Sequence, residues 1–175
     1  MLFFHRHDNQ SGRQGRYPLT FDLICTQIPA LPANKPAVWQ AFKERCADET
    51  RARQTLRFGH EPFVDVVLLY ASGDWDQQRP MAAGKYRGRD GGSDRRIYIN
   101  RLLIEAFERR QSEDLRLIVE ATLLHETVHY VRHRSGVASY LNDNDLHEAG
   151  RLFEEQAYGR WLGGDFPRYV GQATR

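Results

Sequence analysis

The sequence predicts an α+β fold: one domain in which a small twisted mixed sheet precedes a long helix and a further C-terminal helix. Three observations carry this expectation. A β-branched and aromatic run, Phe63 to Tyr70, is bounded by polar segments and reads as a buried strand. A long helical pattern begins after Ser112, and a second fills the stretch before Gly163-Gly164. The chain has 175 residues, enough for one domain with its own core and too few for two comfortable ones.

Taken in order, residues 1–16 are polar and rich in His, Arg, Gln and Gly, which predicts a flexible N-terminal arm before a domain spanning 17–175. Tyr17 to Ile28 alternates and carries Phe21, Leu23 and Ile24, which suits a first strand. Pro29, Pro32 and Pro36 then punctuate a short extended linker. From Pro36, a residue suited to a helical first turn, Val38, Ala41, Phe42 and Cys46 recur at three- and four-residue steps and predict a helix. After the strand at Phe63 to Tyr70, residues 71–96 are rich in Gly, Asp and Arg, with a turn at Gly91-Gly92. Ile97-Tyr98-Ile99 follows as a short strand and Arg101 to Arg110 as a helix. Ser112, Glu113 and Asp114 give a cap and an acidic first turn to the next helix, which Gly136 closes. The polar run Asn142-Asp143-Asn144-Asp145 starts a last helix reaching Leu162.

Composition narrows the function classes. Hydrophobic residues make up 41% and charged residues 27%, with a net charge of +2, so no strong electrostatic partner is implied. The basic residues are nearly all arginine and lie scattered among acids, which argues against nucleic acid as a partner. Cys25 and Cys46 have no metal-ligand spacing and read as buried thiols, with one bridge between them the alternative. Met1 to His7 lacks the apolar core of a secretory signal, and no apolar run approaches a membrane span. The expectation is a protein made soluble in the cytoplasm and, if exported, carried by a signal-independent route.

The decisive feature is His125-Glu126-Thr127-Val128-His129, an H-E-x-x-H string inside the long helix. With His125 at the origin of a helical wheel, His129 falls at about 40° and Ile118 at about 20°. Both imidazoles therefore share one face and can reach one ion. Glu126, one residue on, sits at the rim of that face, where it can serve as a general base without ligating the metal. An isolated histidine on an apolar face reads as a satisfied core residue; a pair at this spacing bracketing a glutamate reads as zinc ligands.

A catalytic zinc takes three protein ligands and leaves one position open. His133 stands about 12 Å from His125 along the helix axis, too far for all three histidines to share an ion, so it is placed at the rim or among supporting residues. On the wheel of the last helix Glu154 lies at the edge of the packed face, which makes it the first choice for third ligand; Glu155 and Glu148 remain alternatives. Tyr158, Tyr140 and His147 are candidates for a donor to a developing oxyanion.

The H-E-x-x-H string followed by Glu154-Glu155-Gln156-Ala157 on a downstream helix resembles the gluzincin branch of the zincin metallopeptidases. The resemblance implies zinc held by His125, His129 and Glu154, and Glu126 as general base in peptide-bond hydrolysis. It implies also that Ile97-Tyr98-Ile99 is the edge strand that receives an extended polypeptide substrate. The small size and short arm are similar to metallopeptidase toxin (effector) domains that bacteria export, which implies an inhibitor or immunity protein and a larger carrier. The motif of the thermolysin type, with Asp four residues after the ligand Glu, is absent: Tyr158 stands there. Competing expectations are a zinc hydrolase of non-peptide substrates, an inactive binding descendant, and a nucleic-acid module using Arg87, Arg89, Arg95 and Arg96. A helical core with chance histidines would bind no metal.

Overall fold

The computed structural model describes residues 15–69, 82–86, 95–139 and 148–170. The long helix predicted from the motif organises them. Here α1 is Pro18–Asp22, continued by a π-helical turn over Leu23–Gln27. Then follow α2 (Leu31–Asn34), α3 (Pro36–Cys46), α4 (Glu49–Thr55), β1 (Phe63–Val67), β2 (Gly84–Tyr86), β3 (Arg96–Asn100), α5 (Arg101–Arg110), α6 (Glu113–Arg134), α7 (Ala149–Tyr158), a 3-10 turn (Gly163–Asp165) and α8 (Phe166–Val170). The fold is α+β, as the sequence predicts.

Ser112 caps α6 by accepting the Leu115 N–H at 3.2 Å, and Glu113 and Asp114 place negative charge at its positive end. The helix runs 22 residues, about 33 Å. It is buried nearly all round, from Leu115 and Ile118 through Leu123, Leu124 and Val128 to Val131. A helix buried on every face must be surrounded; β2, β3, α3, α4, α5 and α7 all pack on it.

The sheet has the order β1-β3-β2, with β1 parallel and β2 antiparallel to β3. This corrects the expectation that Ile97-Tyr98-Ile99 forms an edge. Tyr98 pairs with Asp65 on one side and Lys85 on the other, and Ile97 and Ile99 are fully buried. Among the described residues β2 is the edge on the site's side, a three-residue strand that the sequence reading passed over. Asn100 ends β3 and caps α5 through the Leu102 N–H at 3.1 Å, while its buried amide donates to Leu69 O and Ala82 O at 3.2 and 3.0 Å.

Four further expectations change. Tyr17 to Ile28 is helical and not a strand: the buried residues are Tyr17, Thr20, Leu23, Ile24 and Ile28, a three-to-four spacing that a period of two had masked. The linker at 29–36 holds the one-turn α2, and the strand from Phe63 stops at Val67. The last helix starts at Ala149 and ends at Gly159, whose φ of 75° suits glycine; residues 140–147 lie outside the described residues, as does most of the 1–16 arm. Cys25 and Cys46 are free thiols.

The first turn of α1 is capped from a distant element. Glu108 of α5 accepts the Leu19 and Thr20 N–H groups at 3.1 and 2.8 Å and the Thr20 hydroxyl at 2.7 Å. Because that carboxylate satisfies donors a helix leaves unpaired, Glu108→Ala is expected to cost about 1–2 kcal/mol. The check is a lowered denaturant midpoint at unchanged slope; an unmoved midpoint would mean that water serves α1 equally well.

Candidate metal centre

Helical spacing on α6 brings the His125 and His129 rings to 5.1 Å between centroids. Glu148, the N-cap of α7, meets both: its carboxylate lies 3.3 Å from His125 Nε2 and 2.5 Å from His129 Nε2. Ligand-type atoms of these three residues all fall within 4.8 Å of one another. Glu148 also accepts the N–H groups of Gly150 and, at 3.0 Å, Arg151, so the start of α7 fixes its carboxylate in place.

Glu154, the first choice from the sequence, is held elsewhere. Its Oε1 lies 2.6 Å from His125 Nδ1, the ring nitrogen away from Glu148, and its Oε2 accepts the Leu162 and Gly163 N–H groups at 2.6 and 2.9 Å. Glu154 therefore braces His125 from behind. The wheel argument misplaced Glu148 because that residue is not helical: its φ of −71° and ψ of 136° aim it differently from any helical position. Glu155 pairs with Arg151 at 2.9 Å on the surface.

Two glycines permit the close packing. A Cβ on Gly150 would stand 2.5 Å from the His125 ring, and one on Gly84 would stand 2.7 Å from Thr122 and 2.9 Å from Glu126. Neither glycine was singled out in the sequence, where nothing distinguishes them from the other twelve.

Burial and charge oppose each other here. Burial alone would lower the His125 pKa, but the Glu154 hydrogen bond and the charges of Glu126, Glu148 and Glu154 outweigh it and push it up to about 9. Burial raises Glu126 above the usual carboxylate range against the pull of the two histidines. For Glu148 burial also raises the pKa, yet the His129 hydrogen bond, the histidine charges and the Gly150 N–H bring it down to about 2. Three carboxylates thus crowd two imidazoles, and among the described residues none of the three pairs with Lys or Arg. Glu120, on the same helix, makes the contrast: it is equally buried but bound by Lys35 at 2.8 Å and Arg116 at 2.9 Å. A donor set of two imidazoles and a carboxylate, braced by a second carboxylate and short of positive charge, fits a divalent cation.

The remaining candidates divide. Tyr158 donates to Glu120 at 3.1 Å, and burial and that neighbour push its pKa well up; it serves the Glu120 cluster and not the cavity. His133 Nδ1 meets the Tyr86 hydroxyl at 2.6 Å, beyond His129 toward β2. Tyr140 and His147 lie outside the described residues. Ile97, Tyr98 and Ile99 lie inside the sheet. A cavity of about 390 Å³ opens beside His125, Glu126 and Glu148, with Gly84 and Trp161 among the residues that wall it.

No helix among the described residues is long and apolar enough to cross a membrane. No curated protein and no solved structure matches the chain. The profile of the metallopeptidase toxin 3 family matches residues 13–159, a span that contains α6, the sheet, Glu148 and all of α7. The chain belongs to that family and is a metallopeptidase toxin domain.

Proposed function

We propose that His125, His129 and Glu148 hold a zinc ion and that Glu126 is the general base of peptide-bond hydrolysis. The observation that carries this reading is the meeting of Glu148 with both Nε2 atoms, while Glu154 takes the opposite face of His125. Two motif histidines and a glutamate from a later segment make a gluzincin-like set, with Glu148 in the place first given to Glu154.

Zinc so bound supplies Lewis acidity, which makes a water nucleophilic near neutral pH and polarises the scissile carbonyl. Glu126, buried and raised in pKa, is suited to accept the proton of that water and return it to the leaving amine. Glu154 holds the His125 ring so that Nε2 faces the ion. Substrate is received as an added strand on β2, whose Gly84 lines the cavity together with Ala83 just before it. This moves the role first given to Ile97-Tyr98-Ile99 to the neighbouring strand.

As a toxin, the domain would be delivered by a larger carrier and countered by an immunity protein. A non-peptide substrate is the second reading, and no particular observation favours it. The nucleic-acid reading loses ground: Arg95 and Arg96 pair with Glu61 and Asp65, and Arg87 and Arg89 lie outside the described residues.

Metal analysis separates the roles. Wild type is expected to carry about one zinc per chain. Glu126→Gln should keep the zinc and lose about 10²–10⁴-fold in hydrolysis. Glu148→Ala should lose most of the zinc, and Glu154→Ala should bind it about 10–100-fold more weakly. A Glu154→Ala protein without zinc beside a fully loaded Glu148→Ala protein would restore the original assignment.

Gly150→Ala tests the packing behind His125. Its methyl group must displace the ring, so zinc affinity measured by competition with a chelating dye should fall about 10–100-fold. Unchanged affinity would show that α7 can retreat freely. Stripping the metal is also expected to lower thermal stability, by about 2.7 kcal/mol relative to protein held at a hundred times the dissociation constant. Coincident melting curves with and without zinc would refute binding to the folded chain.

A further inference from the structure

We infer that Trp161 and the glycine turn behind it form a subsite for a large apolar side chain, aromatic by preference, next to the bond that is cut. This rests on the peptidase reading and deepens it by naming the class of substrate.

The space comes first. Apart from His125, three carboxylates and Thr122, the cavity is walled by small residues such as Gly84, Gly163 and Gly164, with Pro167 and Trp161. Small residues leave the volume open and the indole supplies its one large apolar surface. A cavity of about 390 Å³ is of the size that takes an organic group.

Rigidity comes second. Trp161 is 46% exposed although the large side chains of the core are buried, so a wide apolar surface is left facing water. Yet the ring is held. The Arg151 guanidinium lies 5.1 Å from its centroid and is itself tied to Glu155. Gly163 and Gly164 press against the indole so closely that a Cβ on either would stand 2.9 or 3.0 Å from ring atoms. An exposed aromatic ring fixed in advance gives up little freedom on binding.

Placement comes third. Glu154 accepts the Leu162 and Gly163 N–H groups with one oxygen and meets His125 with the other. The Trp161 turn is thus referenced to the metal centre, and a side chain resting on it holds its own backbone beside Glu126. Charge selects the class. Arg151 is engaged by Glu155, Glu148 by the two histidines, and Glu154 by His125 and the turn, so a charged side chain would meet charges of both signs that already have partners. An apolar side chain needs none.

Zinc-loaded protein can be titrated calorimetrically with N-acetyl amino-acid hydroxamates, which anchor to the metal and need no turnover. Wild type should bind the phenylalanine compound roughly tenfold or more tighter than the alanine compound. Trp161→Ala should bring the ratio near one, and Trp161→Phe should retain most of it. A wild type that prefers the alanine, aspartate or lysine compound overturns the inference, as does an undiminished ratio in Trp161→Ala. Failure of the peptidase reading looks different: no zinc in the protein, or hydroxamate binding that is the same with and without zinc, and either would remove the subsite as well.

Discussion

Burial of α6 along most of its length is the constraint from which much of the structure follows. A helix so enclosed cannot leave its buried polar residues to water, and most of them find partners within the fold. Arg132 reaches Ala138 O and Arg45 O at 2.7 and 2.8 Å, which joins the end of α6 to the end of α3. Thr127 turns back to Leu123 O at 2.7 Å. Glu120 draws in Lys35, Arg116 and Tyr158. The helix thereby dictates where α3 and α7 must lie.

Glu120 and Glu126 stand less than two turns apart and meet opposite solutions. The first carboxylate is neutralised by two protein cations, which is how a buried charge is ordinarily tolerated. The second shares its surroundings with Glu148 and Glu154, and its nearest positive charge is what the histidines carry. In a folded protein an excess of buried negative charge raises pKa values and costs stability unless a cation enters. The raised His125 value follows from those carboxylates working against its burial, whereas Glu126 is raised first by burial and then by its acidic neighbours.

The parts of this arrangement legible in the sequence are those set by local geometry. Two histidines four apart on a helix share a face whatever surrounds them, and Ser112 with its acidic followers marks a helix start by a rule internal to that segment. Glu148 was underrated for the same reason in reverse. A wheel drawn through residues 142–162 assumes a helix that begins too early, and the side chain of an N-cap is not on any wheel. Tyr17 to Ile28 failed on period, since its cap comes from Glu108, about ninety residues away in sequence. The β2 strand has three residues, one of them glycine, and owes its existence to pairing with β3; no local pattern could announce it.

Glu154 was chosen from the sequence for lying at the packed edge of its helix; that placement holds, and in the centre we propose it has the role of a brace in place of a ligand. A ligand would need one carboxylate oxygen at the ion. Instead both oxygens are engaged, one on His125 and one on the backbone of the Trp161 turn. A bridging carboxylate of this kind makes the orientation of a histidine and the position of a cavity wall depend on one another. Its removal would loosen both, so a loss of turnover in a Glu154 variant cannot by itself be assigned to the metal. The distinction needs the two observables that Glu154 joins, zinc affinity and side-chain preference, measured on the same protein. Weakened zinc binding together with a lost preference is what a brace produces; weakened zinc binding with the preference intact at saturating zinc is what a ligand produces.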